Sequence, residues 1–194
     1  VFAFLAVLFL FKESFNKNST AKYAKTMAAY SNNRGGYIIF GVKDNPRTIV
    51  GLKNENFENM SQEQFSEAIN SLFAPAMDWD CGTFVIEVPA TDGTGTMQSL
   101  KIGWIYTAEA EYKPIIAQKP NDGEKINSGD VYYRYRARSE KIKFAEMSRI
   151  VEERTAKERE GLLRLFEVIR DNKTANLGIV NYSNGKKIGR ASCR

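Results

Sequence analysis

The chain has 194 residues, 43% of them hydrophobic and 26% charged, a composition that fits one globular domain with its own core and excludes general disorder. With no histidine and only two cysteines, Cys81 and Cys193, it excludes a histidine general base, a Cys/His metal site and a disulfide framework, and a reducing, cytoplasmic setting is expected. The formal charge of +5 points to an acidic partner, nucleic acid being the expected one.

The first eleven residues, "VFAFLAVLFLF", are continuously apolar. A spanning helix needs about 18 such residues, and a secretory signal needs a basic stretch before the run and small residues after it. The run therefore reads as a buried first strand, with a clipped membrane segment as the alternative, and no membrane partner is expected. Next, Asn18 or Ser19 can cap a short helix in which Tyr23, Met27 and Tyr30 form the inward stripe, with Lys22 and Lys25 outside it.

"SNNRGGYIIFGVKDN" then joins a polar turn to a strand over Tyr37 to Val42, which breaks again into charge. "KDNPRT" predicts a turn and "TIVGL" a returning strand, so the pair is expected to be a hairpin. Ser61 caps a second helix with Phe65, Ile69, Leu72 and Phe73 on one face, ended by Pro75. "TFVIEVP", "SLKIGWIYT" and "KPIIAQ" read as strands, the first two separated by the glycine-rich "ATDGTGTMQ". "VYYRYRAR" follows as a single strand.

From about Lys143 the period turns helical through Phe144, Met147, Ile150 and Val151, then Leu162, Leu163, Phe166 and Ile169, with Gly161 as a possible division into two helices. The tail from Asn172 reads as loose. Its last eight residues, "KIGRASCR", resemble the translation of a common sequencing adapter; without them 25 basic residues face 23 acidic ones, so local clustering of charge counts for more than the total. The order of elements predicts an α+β fold, a mixed and mostly antiparallel sheet with helices packed against it.

Two stretches could carry chemistry. Gly35 and Gly36 either end a helix and permit close packing, or present backbone amides beside Asn33 and Arg34 as an anion-binding concavity. On "VYYRYRAR", alternation would line Tyr132, Arg134, Arg136 and Arg138 on one face, with Lys141 and Lys143 beyond. Forked guanidiniums match phosphate oxygens and a tyrosine can stack on an unpaired base; the alternative is a solvated face paired to acids such as Glu140 or Glu146. The acidic pairs Glu109/Glu111 and Asp78/Asp80 carry no specific signal, and Cys81 reads as a buried small residue. Glu13 and Asp44, at expected strand ends, are the weak candidates for holding magnesium or manganese.

The motifs "FKES" at Phe11 to Ser14, "AAYSNNRGGYIIFGVKDN" at Ala28 to Asn45, "IVGL" at Ile49 to Leu52, "KPIIAQK" and "GDVYYRYRARSEKI" resemble the Schlafen-type AlbA-like domain, also described as a divergent AAA domain. The resemblance implies a nucleic-acid-binding fold over 10–154, common in bacterial transcriptional regulators; beyond it, 155–186 read as a helical extension and loose tail, and the adapter-like 187–194 as non-native sequence. It also implies that a subset of the family cleaves structured RNA with a divalent metal, two glutamates and an aspartate. Asp44 matches the aspartate, whereas Leu10 stands at one glutamate position and the other falls near Leu5. The expectation is therefore a non-catalytic nucleic-acid binder that needs no cofactor, contacting phosphates through Lys12, Asn33, Arg34, Gly35, Gly36, Tyr132, Arg134, Arg136, Arg138 and Lys141. Its rivals are a magnesium- or manganese-dependent ribonuclease using Asp44, and a module for homodimerisation. An ATPase reading would rest on the family's older name alone, since no G-x-x-x-x-G-K-[ST] loop is present.

Overall fold

Over the residues the computed structural model describes, 8–90, 96–136 and 138–171, the chain forms an α+β fold. The central sheet has the order β1 (Leu8–Lys12), β2 (Gly36–Phe40), β7 (Met97–Thr107), β6 (Trp79–Pro89). β1 runs parallel to β2, and the other neighbours are antiparallel. A parallel pair needs a crossover, and α1 (Thr20–Ser31) supplies it.

Alternation gives the sheet two unlike faces. Register places Leu10, Ile38, Ile105 and Cys81 side by side on the inner face, with Phe40 and Gly103 one step along. The predicted stripe of α1, Tyr23, Met27 and Tyr30, lies fully buried against this side. α2 (Gln62–Leu72) adds Phe65 and Ile69, and its predicted Ser61 cap accepts from the Gln64 amide at 3.3 Å. Phe15, Tyr23, Phe40 and Phe57, with centroids 5.2 to 5.4 Å apart, stack (Phe15 on Tyr23) or meet at right angles and tilts, and form the aromatic centre of the core.

The outer face carries Phe9, Tyr37 and Tyr106 in one row and Phe11, Ile39 and Trp104 in the next. None of these six belongs to the buried core cluster. The expected hairpin forms from β3 (Val42–Lys43) and β4 (Thr48–Ile49), set off from β2 by Gly41 at φ +95°.

Smaller pairs complete the fold. β5 (Phe73–Ala74) pairs with β8 (Ile116–Ala117), which is all the strand that "KPIIAQ" makes. The predicted strand "VYYRYRAR" is instead a hairpin, β9 (Tyr132–Tyr135) and β10 (Arg138–Lys141), turning at Arg136, whose φ is +40°. α3 (Phe144–Asp171) passes Gly161 without a break. The chain divides after Val151 into two units. In the first, Ile150 is buried; in the second, Leu162, Leu163, Phe166 and Ile169 are exposed. The calls on residues 1–7, on the loop at 91–95, on Ala137 and on the tail from 172 onward lie outside the described residues.

Candidate nucleic-acid interface

The glycine turn is closed by its own helix. The amide of Asn32 donates to Ala28 O at 3.0 Å, and those of Asn33 and Gly35 donate to Tyr30 O at 2.9 Å, which is how a helix terminates through a left-handed glycine. Gly35 has φ +72°, and a Cβ there would stand 2.7 Å from Thr107 O; one on Gly36 would stand 2.7 Å from Leu8 O and 2.9 Å from the Tyr30 ring. Both glycines are therefore required for packing, and of the turn's amides those of Asn32, Asn33 and Gly35 are spent inside the chain.

The asparagines staple this turn to the rest of the domain. Asn32, fully buried, donates through Nδ2 to Ile115 O at 3.0 Å and Tyr132 O at 2.9 Å, while its Oδ1 accepts from the Ile115 amide at 2.6 Å. Asn33 donates to Arg134 O at 2.9 Å, and its own carbonyl accepts from Lys113 Nζ at 2.7 Å. Its side chain is thus engaged within the fold. Sequence reasoning singled out Asn33 and missed Asn32; its place at the end of an apolar helix, followed by a glycine pair, was the available signal.

The arginine ladder is corrected, because the hairpin turn splits it. Arg134 is 5% exposed and Tyr132 is 2% exposed, both on β9 beside α1. The Arg134 guanidinium lies over the Tyr30 ring with its carbon 5.5 Å from the centroid, and Nη1 donates to Ser139 Oγ at 3.3 Å. Burial pushes the Tyr30 hydroxyl up to about 12, with the Arg134 charge pulling the other way. Tyr132 donates to Asp130 Oδ2 at 2.9 Å, and burial above all raises its hydroxyl. Neither side chain is placed to stack on an open base.

Arg34, Arg136 and Arg138 are exposed, and among the described residues no ion pair is recorded for them. They are brought together by the staple: Arg34 follows Asn33, whose amide holds Arg134 O, and Arg136 lies two residues beyond. Lys141 is exposed but paired with Asp130 at 2.8 Å, and Lys143 lies 4.9 Å from the Tyr135 ring centroid. Of the acids expected as partners of the ladder, Glu146 is engaged elsewhere: it accepts from Tyr135 OH at 2.7 Å.

Lys12 is half-buried at the end of β1. Burial lowers its pKa first, and the charges of Lys22 and Arg134 lower it further against the opposing pull of Asp44 and Glu124. Three residues predicted for the site, Lys12, Asp44 and Arg134, thus share one electrostatic neighbourhood. Asp44 is exposed in the β3–β4 turn. Glu13 is paired with Lys53, whose hydrogen bond and charge lower its pKa. Leu10 packs against the core. Among the described residues no three of His, Cys, Asp or Glu group as metal ligands would. Glu109 pairs with Lys113 at 2.6 Å, Asp80 accepts from the Cys81 amide at 2.8 Å, and burial raises the Cys81 thiol.

The family model for Schlafen, AlbA_2 matches residues 10–143, from the middle of β1 to the start of α3. The chain belongs to the Schlafen AlbA_2 family. It is also 55% identical over 178 residues, 91% of its length, to the "Uncharacterized ATP-binding protein UU034" of Ureaplasma parvum serovar 3, and spans 50% of that protein. Among solved structures it is similar to the DIP2311 protein of Corynebacterium diphtheriae, with TM-score 0.43 and 17% identity over 75% of this chain and 23% of that one. It is similar too to the N-terminal domain of a RecG-related protein from Nitrosomonas europaea, with TM-score 0.37 and 19% identity over 69% of this chain and 81% of that one. The Schlafen AlbA_2 match places the glycine turn and the β9–β10 hairpin inside one family domain.

Proposed function

We propose that this domain binds nucleic acid through its phosphates, without cutting it, as one module of a larger bacterial regulatory protein of the cytoplasm. The observation that carries the reading is the set of exposed guanidiniums Arg34, Arg136 and Arg138, on the glycine turn and the β9–β10 hairpin, which the Asn33 to Arg134 hydrogen bond ties together. Guanidiniums without acidic partners on a stapled rim can neutralise phosphates at little cost in ordering. Lys12 adds positive charge that interacts with those of Lys22 and Arg134. Membership of the Schlafen AlbA_2 family supports the same reading.

Replacing Arg136 and Arg138 together by alanine is expected to weaken binding to all sequences alike and to reduce the slope of log K against log salt by about 2, with thermal stability unchanged. Unaltered affinity and slope in that variant would overturn the assignment. The non-cutting half of the proposal rests on Leu10, an apolar side chain packed on the core where the nuclease pattern calls for a carboxylate. Magnesium- or manganese-dependent cleavage of transfer RNA, lost in Asp44→Asn, would contradict it. Among the described residues no helix is long and apolar enough to cross a membrane.

A further inference from the structure

The outer face of the sheet is aromatic on three adjacent strands and carries no packed helix residue from the core cluster. Phe9 is 51% exposed, and Phe11, Tyr37, Trp104 and Tyr106 are each partly exposed. Phe9 is near-parallel to Phe11 at 7° and to Tyr37 at 16°, and the Tyr37 and Tyr106 centroids are 4.8 Å apart. A Cβ added to Gly82 would meet three atoms of the Trp104 indole at 2.9 to 3.2 Å. The indole thus occupies the space that a side chain at position 82 would take, and it is partly exposed.

An exposed cation lies over one of these rings, and another precedes β2 in the chain. Arg34 lies two residues before the strand, and Arg47, on the turn that follows it, sits with its guanidinium carbon 4.7 Å from the Phe11 centroid. Five residues of strand separate the ends by roughly 17 Å. An apolar partner surface would be answered by rings alone. Rings with an exposed arginine over one of them match a ligand that offers flat π-faces and phosphates together, which is an unpaired strand of nucleic acid; aromatics on the open face of a four-stranded sheet commonly stack two or three bases. A duplex keeps its base faces stacked on one another and cannot use such a platform.

The geometry points to the outer face as a stacking platform for unpaired bases, with Trp104 and Tyr37 as its principal rings, so that the domain prefers single-stranded to duplex nucleic acid. This inference rests on the phosphate-binding reading above and adds the strandedness of the ligand.

The test is a titration of the full chain with fluorescein-labelled single-stranded RNA, single-stranded DNA and duplex DNA, followed by anisotropy. In a Trp79→Phe background the remaining tryptophan emission is read as well. Single strands are expected to bind more tightly than the duplex and to quench Trp104. Trp104→Leu and Tyr37→Leu keep apolar cover on the sheet, and each should lower single-strand affinity about 5- to 100-fold while leaving duplex affinity unchanged. Trp104→Phe should retain most of the affinity. If single strands and duplex bind equally and neither leucine variant changes either, the platform is refuted while phosphate binding stands. If nothing binds, both fall. A concentration-dependent dimer in light scattering that shifts Trp104 emission to the blue without oligonucleotide would overturn the platform in favour of a second copy of the chain.

Discussion

Asn32 is a side chain with three hydrogen bonds and no exposure, and two of its partners lie 83 and 100 residues away in the chain. Its removal would leave an amide and two carbonyls buried without partners, each costing about 1–3 kcal/mol. Asn32→Ala is therefore expected to lose about 3 kcal/mol or more in urea unfolding, whereas Arg34→Ala, at an exposed position, should stay within about 0.5 kcal/mol of the native protein. Equal midpoints and slopes for the two variants would refute the staple. Individual residues were unevenly legible in the sequence. The α1 stripe could be read because three buried side chains repeat at helical spacing, and Gly35 and Gly36 because only their conformational freedom and small size suit a helix end against a strand. Asn32 and Asn33 are chemically identical neighbours, and only their long-range partners separate the buried staple from the half-buried one.

The β9–β10 hairpin is the element on which the candidate interface depends. Its base is held by Asp130, which accepts from Tyr132 OH and from the Asn127 amide, each at 2.9 Å, and pairs with Lys141 at 2.8 Å. Burial pushes the Asp130 carboxyl up, but the Lys141 hydrogen bond, the Asn127 and Tyr132 donors and the Lys141 charge outweigh it and hold the carboxyl below its usual 3.8. A group depressed in this way contributes stability that is present above its unfolded value and is lost as pH falls through the folded one. Amide exchange of Tyr132 to Tyr135 should therefore accelerate below about pH 4, beyond the global trend, and this extra acid step should vanish in Asp130→Asn. Identical acid profiles in the two proteins would contradict the clamp. This hairpin was read as one strand because its turn at Arg136 offers no glycine, proline, asparagine or aspartate, and arginine at φ +40° is not a turn signal. The uninterrupted α3 differs from its expectation for the opposite reason. A single glycine costs a helix about 1 kcal/mol, which 28 residues of otherwise good helix formers can absorb.

At the scale of the whole molecule, the α+β class followed from the order of periodic segments, and the family from spaced motifs that span most of the domain. The corrections concern which side chains remain available to a partner. Alternation along "VYYRYRAR" put Tyr132 and Arg134 on an exposed face with Arg136 and Arg138, and the hairpin turn buries the first two and leaves the other two outside. A net charge of +5 over 194 residues is too small to bind anions indiscriminately, so the account depends on where the cations stand. The chain spans half the length of its Ureaplasma parvum relative.

The most direct measurement is fluorescence anisotropy of the full chain with labelled nucleic acid across a series of salt concentrations, with the Arg34, Arg136 and Arg138 triple alanine variant alongside. Binding should weaken linearly in log salt, and the triple variant should lose about two from the slope with a single strand and nearly three with a duplex, while unfolding at the same temperature as the native chain. Salt-independent binding, or a variant that titrates like the native protein, would contradict a phosphate-neutralising interface at this rim.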